Sequence, residues 1–227
     1  MRTKSLKLFL ALALGVIICL PGVALAAILT FDGISASDTV VGGLAPDINS
    51  LSPNYGGFSW TGGVQGGYWG VLTKASYAQP GYNNQLPFPS GTNALINEKG
   101  QIGSSLNIIS GTAYVYNGAY FAPRTVNDYT PFYGASQLTI NGYLGQSLLG
   151  SQTFSLSGGP LIYVPSTITG VIDRLEFVPI LSGGGYYFLI DNFNFTAVPV
   201  PPSVLLLGSG ILGMVGLGWS RRRKARS

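Results

Sequence analysis

The chain has no histidine and only one cysteine, Cys19, in 227 residues. Without histidine a Ser-His-Asp triad cannot be assembled, and neither can a histidine-ligated zinc or iron site. Cys19 lies near the N-terminus inside an apolar run, so the stretch after it has no thiol and forms no disulfide. No Gly-x-x-x-x-Gly-Lys phosphate loop and no Gly-x-Ser-x-Gly elbow occurs. Charge is scarce too, at 9% of residues. Glycoside hydrolysis needs only two carboxylates, but the eight acids are scattered and no pairing stands out. These absences argue against an enzyme, and no cofactor is expected apart from the structural calcium considered below.

The net charge of +4 is not evidence for nucleic acid, because the charges are segregated. Arg2, Lys4 and Lys7 open the chain, and Arg221, Arg222, Arg223, Lys224 and Arg226 close it. Between them lie Lys74, Lys99, Arg124, Arg174 and all eight acids, a net charge of about −4. That middle has no basic stripe for phosphates. Basic residues flanking apolar segments are better read as topology signals that stay cytoplasmic.

Both ends carry such a segment. Residues 1–26 have a basic start, an apolar run from Leu8 to Leu20, a Pro21-Gly22 break and then Ala24-Leu25-Ala26. This is the three-part pattern of a secretory signal peptide, with signal peptidase expected to cut between Ala26 and Ala27 and Ala24 at the other small-residue position. At the other end, prolines at 199, 201 and 202 precede an apolar run from Val204 to Trp219, and Arg221–Arg226 follow. Prolines disfavour helix up to Pro202. A helix over about 203–220 with snorkelling arginines approaches the hydrocarbon thickness. The expected partner of this segment is a membrane, with the basic stop at 221–226 on the cytoplasmic side.

The tail over 198–227 resembles the PEP-CTERM sorting signal. The matching residues are Val198-Pro199-Val200-Pro201, the Leu205–Gly213 core with Leu-Gly-Ser-Gly inside it, and Arg221, Arg222 and Arg223. Val200 stands where the family usually has glutamate, as in its Val-Pro-x-Pro variants. The resemblance implies sorting by an exosortase, a membrane cysteine enzyme of transpeptidase type. It also implies a Gram-negative source, commonly one that makes exopolysaccharide, and either anchorage or release to the cell surface or matrix.

Residues 27–197 read as one extracytoplasmic domain. Short β-branched and aromatic runs alternate with Gly- and Pro-rich turns, and no sustained helical period appears. Gln137–Asn141, Arg174–Val178 and Tyr187–Phe195 show alternation, Ile28–Asp32 reads as a first strand, and Thr112–Tyr116 as an interior one. The expected fold is all-β, an antiparallel β-sandwich of jelly-roll-like form, flanked by an N-terminal signal helix and a C-terminal transmembrane helix. The Gly-rich stretch from Gly42 to Gly70 is expected to be mostly loops. Phe31-Asp32, Asn54-Tyr55-Gly56-Gly57-Phe58-Ser59-Trp60, Gly81-Tyr82-Asn83-Asn84 and Ile190-Asp191-Asn192-Phe193 follow an order similar to that of exported sandwich domains found in front of such tails. Those domains look like carbohydrate-binding modules.

Sugar rings stack on aromatic faces while amides and carboxylates take the hydroxyls. Trp60, Trp69, Tyr82, Asn83 and Asn84 are therefore the candidate ligand-binding residues, with core filling as the competing role for the tryptophans. Asp32 and Asp191 fall on the expected first and last strands, which are often neighbours. With backbone carbonyls they form a candidate structural calcium site, and hydrogen bonding to turn backbone is the alternative. The function expected is that of a non-enzymatic surface or exopolysaccharide-associated protein that binds polysaccharide. The alternative is a self-assembling structural or adhesive protein, and a glycoside-acting enzyme comes a distant third.

Overall fold

The computed structural model describes residues 25–37, 44–62, 67–78, 88–98, 106–124, 134–180 and 185–198. The expected signal helix, the transmembrane helix, Ala24, Tyr82, Asn83, Asn84, Pro199, Pro201 and the arginine cluster lie outside the described residues. Ten strands make up the described domain: β1 (Ala26–Leu29), β2 (Phe58–Thr61), β3 (Tyr68–Thr73), β4 (Asn93–Glu98), β5 (Leu106–Pro123), β6 (Gln137–Leu144), β7 (Ser147–Ser155), β8 (Ile162–Pro165), β9 (Ile172–Ile180) and β10 (Phe188–Ala197). Every strand pairing is antiparallel. Two single-turn α-helices, Ile48–Leu51 and Lys74–Tyr77, and a 3-10 turn, Tyr55–Gly57, complete it.

Hydrogen bonding joins all ten strands into one sheet, and β5 is the reason. The first half of this 18-residue strand pairs with β2 and β9, through Ile109↔Ser59 and Ile109↔Arg174. Its second half pairs with β10 and β8, through Phe121↔Ile190 and Phe121↔Ile162. The register with β9 breaks between Ile109 and Tyr114, around Gly111, so the strand passes from one layer to the other. One layer is then β2-β5-β9-β6-β7, and the other is β3-β4-β10-β5-β8 with β1 also on β10.

Aromatic rings close the space between the layers. Trp69 of β3 meets Phe177 of β9 edge-on at 5.4 Å, and Trp60 of β2 meets Trp69 at 6.0 Å. Phe58 of β2 meets Phe193 and Phe195 of β10 at 5.4 and 4.8 Å. None of these pairs joins hydrogen-bonded neighbours, so they are contacts between facing sheets. Each adds about 0.5–1.5 kcal/mol beyond the area it buries. The expectation of an all-β sandwich is met at this level.

The Gly42–Gly70 stretch departs from expectation. It contains the helix Ile48–Leu51, all of β2 and the start of β3. Phe58, Trp60 and Trp69 recover more free energy in the core than the glycines cost in chain entropy, so packing overrides local composition. Gly56 has a positive φ of +66°, and a Cβ there would lie 2.4 Å from the Leu29 side chain, so the turn before β2 requires glycine.

The two outer faces differ. Outside β3-β4-β10-β5, Leu72, Ala94, Ile96, Ala122 and Leu189 pack beneath Ala45, Tyr77, Phe88 and Leu161 as a second apolar cluster. That layer is buried on both sides. The outer face of β2-β5-β9-β6-β7 bears a mixture instead, with polar side chains of β6, β7 and β9 beside Ile109, Val178 and Ile180, all at half-buried or exposed positions.

Candidate functional site

The open outer face follows from strand alternation. In β6, Leu138 and Ile140 point to the core, so Thr139, Asn141 and Tyr143 point out. In β9, Leu175 and Phe177 point in, so Arg174, Glu176 and Val178 point out. Register then sets these side chains in rows. Tyr143 lies opposite Arg174 and Leu148, Asn141 opposite Glu176 and Ser151, and Thr139 opposite Val178 and Thr153.

The rows are bonded to one another. The Tyr143 hydroxyl donates to Glu176 Oε2 at 2.9 Å, and Asn141 Nδ2 donates to the same oxygen at 3.0 Å. Ser151 Oγ donates to Asn141 Oδ1 at 2.7 Å, and the hydroxyls of Thr139 and Thr153 are 2.8 Å apart. The Arg174 guanidinium carbon lies 3.8 Å from the Tyr143 ring centroid. Partial burial raises the Tyr143 pKa, and its hydrogen bond to Glu176 adds to the shift, so the phenol stays a donor at neutral pH. The result is an aromatic ring, a guanidinium, a carboxylate and an amide held in fixed mutual orientation on a rigid sheet. Four strand spacings of about 4.8 Å make the face roughly 19 Å wide, enough for an extended chain of rings. Composition and short motifs do not single these residues out, because they stand one at a time in regular strands and only register sets them side by side. The usable signal was the polar members of the two alternating runs, Gln137–Asn141 and Arg174–Val178.

Trp60 and Trp69 belong elsewhere, and the expectation that they bind ligand is corrected. Both are 0% exposed. Trp60 is ringed by Phe31, Phe58, Trp69 and Phe193, and its Nε1 donates to the Tyr55 carbonyl at 3.0 Å. Trp69 abuts Phe177 and Phe188. An indole with all its neighbours inside the core presents no face to a sugar.

Asp32 and Asp191 do converge at one corner. β1 pairs with β10, as their expected adjacency required, and the chain turns after Leu29 through Phe31 at φ +61°. Asp32 Oδ1 accepts from the backbone N–H of Thr92 at 2.7 Å and of Asn93 at 3.0 Å. Asp191 Oδ2 accepts from the Ser90 N–H at 3.0 Å, and Asp191 Oδ1 from the Ser90 hydroxyl at 2.8 Å and the Asn192 N–H at 2.6 Å. The two carboxylates thus clamp Ser90–Asn93. Gly91 passes so close that a Cβ would lie 2.6 Å from the Asp32 carboxylate. Desolvation raises the Asp191 pKa to about 6 against the lowering by these donors, and the nearby Asp32 charge raises it further.

Hydrogen atoms on N–H and O–H groups point at both carboxylates, and a cation needs oxygen lone pairs instead. Among the described residues no group of three or more acids, histidines or cysteines is placed to hold a metal ion. The hydrogen bonds to Ser90, Thr92, Asn93 and Asn192 are of the turn-backbone kind given above as the alternative to a calcium site. A pocket of about 650 Å³ opens beside it, between Asp32, Ile34, Ala36, Thr73, Lys74 and Asn93. The polar atoms of Asp32 and Asn93 there serve backbone groups, since Asn93 Nδ2 donates to the carbonyls of Phe31 and Ile34.

Of the residues expected to direct processing, Ala26 and Ala27 open β1 opposite Thr196 and Phe195. The Val198 N–H donates to the Ala113 carbonyl at 3.2 Å, where the described domain ends.

No protein-family model and no curated protein matches the chain. Among solved structures, the K2 cleaved adhesin domain of Lys-gingipain is similar over 75% of this chain and 99% of its own, at 15% identity and a TM-score of 0.42. A family 29 carbohydrate-binding module is similar over 81% of this chain and 99% of its own, at 12% identity and a TM-score of 0.40. The family 32 carbohydrate-binding module of C. perfringens NanJ, solved with galactose, is similar over 57% of this chain and 93% of its own, at 14% identity and a TM-score of 0.34.

Proposed function

We propose that this is a non-catalytic, exported polysaccharide-binding protein whose binding surface is the outer face of β2-β5-β9-β6-β7. One observation carries the reading. Among the described residues no second cluster covers this sheet face, and it holds a prearranged Tyr143–Arg174–Glu176–Asn141 group. A sugar ring offers an apolar C–H face and a rim of hydroxyls. The Tyr143 ring edge and Arg174 plane serve the first, and Glu176 and Asn141 serve the rim. Because the side chains already bond to each other, little rotamer entropy is lost on binding.

The signal-like leader and the sorting-like tail support a position of this surface outside the cytoplasmic membrane. Signal peptidase removes residues 1–26, the segment at about 203–220 holds the protein, and an exosortase-type enzyme acts near Pro201. The natural ligand is then the exopolysaccharide of the producing cell.

Affinity electrophoresis and a glycan array on the purified protein test the surface. Tyr143→Ala and Glu176→Gln are expected to weaken polysaccharide binding at least tenfold with little change in Tm, since both side chains lie on the outer face. Equal binding by wild type and both variants, or no glycan binding at all, overturns the reading.

A further inference from the structure

Strand β7 leaves one edge of its layer open. Among the described residues it pairs with β6 alone. In an antiparallel ladder every second residue turns its N–H and C=O away from its neighbour, so an edge strand presents unpaired backbone groups. The other edges are short or covered. β1, β2 and β8 have four residues each. Along β3, the Val71 N–H donates to the Pro46 carbonyl at 2.8 Å, and Asp47 bridges to Gly70. β7 has nine residues, and Ser151, Thr153 and Ser155 are exposed along it.

Edges that face water ordinarily carry a charge or a proline that turns a further strand away. β7 has neither. No charged residue occurs between Asp128 and Asp173, and Ser147–Ser155 contains no proline. The edge is also held in place. Gln152 Nε2 donates to the Pro165 carbonyl at 2.9 Å, and Gln152 Oε1 accepts from the Thr167 N–H at 3.0 Å. The Thr153 and Thr139 hydroxyls meet at 2.8 Å on the outer face. The register with β6 shifts between Gly150 and Leu148, so a bulge ends the regular edge there. Gly150–Ser155 remains, in unbroken register with Gln137–Gly142.

We propose that a second copy of this chain pairs with this edge, β7 against β7, antiparallel across a two-fold axis. The backbone groups call for a strand, and a strand without charge meets no like charge when it pairs with itself. The side chains also suit their own copies. With the axis at Gln152, Ser151 faces Thr153 of the other copy on the outer side, and Gly150 faces Phe154 of the other copy on the inner side. A hydroxyl pair and a ring over a glycine both favour strand pairing. Each copy offers one such edge, so the assembly closes as a dimer. The axis stands perpendicular to the sheet, because directly paired residues of antiparallel strands share a face. The two outer faces therefore run on into one surface, with the two β6 strands roughly 14 Å apart. The gain from this rests on the polysaccharide reading: a long chain engages two Tyr143–Arg174–Glu176–Asn141 groups at high effective concentration.

Sedimentation equilibrium of the full chain in detergent micelles reads the pairing. Thr153→Lys and Thr153→Glu each set two like charges beside the axis, where the residues of the two copies are roughly 7–8 Å diagonal neighbours. The expected result is a dimer for wild type and at least tenfold weaker association for either variant alone. An equimolar mixture of the two variants should recover the dimer, since opposite charges then meet. A monomeric wild type overturns the proposal. So does a dimer indifferent to both variants, which puts the contact elsewhere, and so does a mixture that stays monomeric. Polysaccharide binding by the same wild-type preparation is read separately. A dimer that binds no polysaccharide leaves the pairing standing and overturns the polysaccharide reading alone; a monomer that binds does the reverse.

Discussion

Asp191 is fully buried and has a pKa raised to about 6, and that sets a pH signature. Its folded pKa lies above its unfolded value, so the folded state holds the extra proton between about pH 4 and 6. Stability from this group therefore falls as pH rises through that window, and it is lowest at neutral pH. Urea unfolding of wild type at pH 4.5 and pH 7 should show about 1–3 kcal/mol of this dependence, and Asp191→Asn should remove that component. An identical pH difference in both proteins would mean that the carboxylate is not desolvated as described. The pairing of Asp32 with Asp191 was legible in the sequence, because Phe31-Asp32 and Asp191-Asn192 sat on strands expected to neighbour each other. Their role was not, because Ser90 and Thr92, which donate to them, lie in a segment with no pattern of its own. Trp60 and Trp69 misled for a related reason. An aromatic among glycines looks exposed, and only the facing layer, which comes from distant sequence, buries it.

At the scale of elements, the alternating runs were reliable guides. Gln137–Asn141, Arg174–Val178 and Tyr187–Phe195 fall in β6, β9 and β10 or at the start of β10, since a half-buried strand writes its two faces into every second residue. β5 was harder to see. Only Thr112–Tyr116 stood out from its 18 residues, because it changes layers and its inward face changes with them. Gly118 marks its second half, with φ +138° and a would-be Cβ 2.5 Å from the Val164 carbonyl oxygen of β8. Gly118→Ala should strain the backbone and push β8 away, costing about 1–3 kcal/mol or more in denaturant unfolding. A neutral substitution would show that β8 is not held as described.

For the whole molecule, the two ends are read from short linear patterns alone, because export and membrane insertion depend on such patterns, and both readings lie outside the described residues. Intact mass and terminal peptides of protein from its native cells should give a start at Ala27 and an end near Pro201. An intact Ser227 terminus would mean permanent anchorage and would remove the sorting step. The proposed binding face needed the fold, since its rows come from three strands that only register brings level. On the proposed function the protein is tethered by its tail and grips polysaccharide with one sheet face, and one feature of the fold bears on that. A pull on the tail enters at Val198 and runs along β10, which is flanked on one side by β5 and on the other by β1 and β4. Such a load shears several rungs of hydrogen bonds at once instead of unzipping them singly. β5 then passes the tension directly into the layer that carries the proposed binding face, so the proposed tether and grip are mechanically in series through one strand.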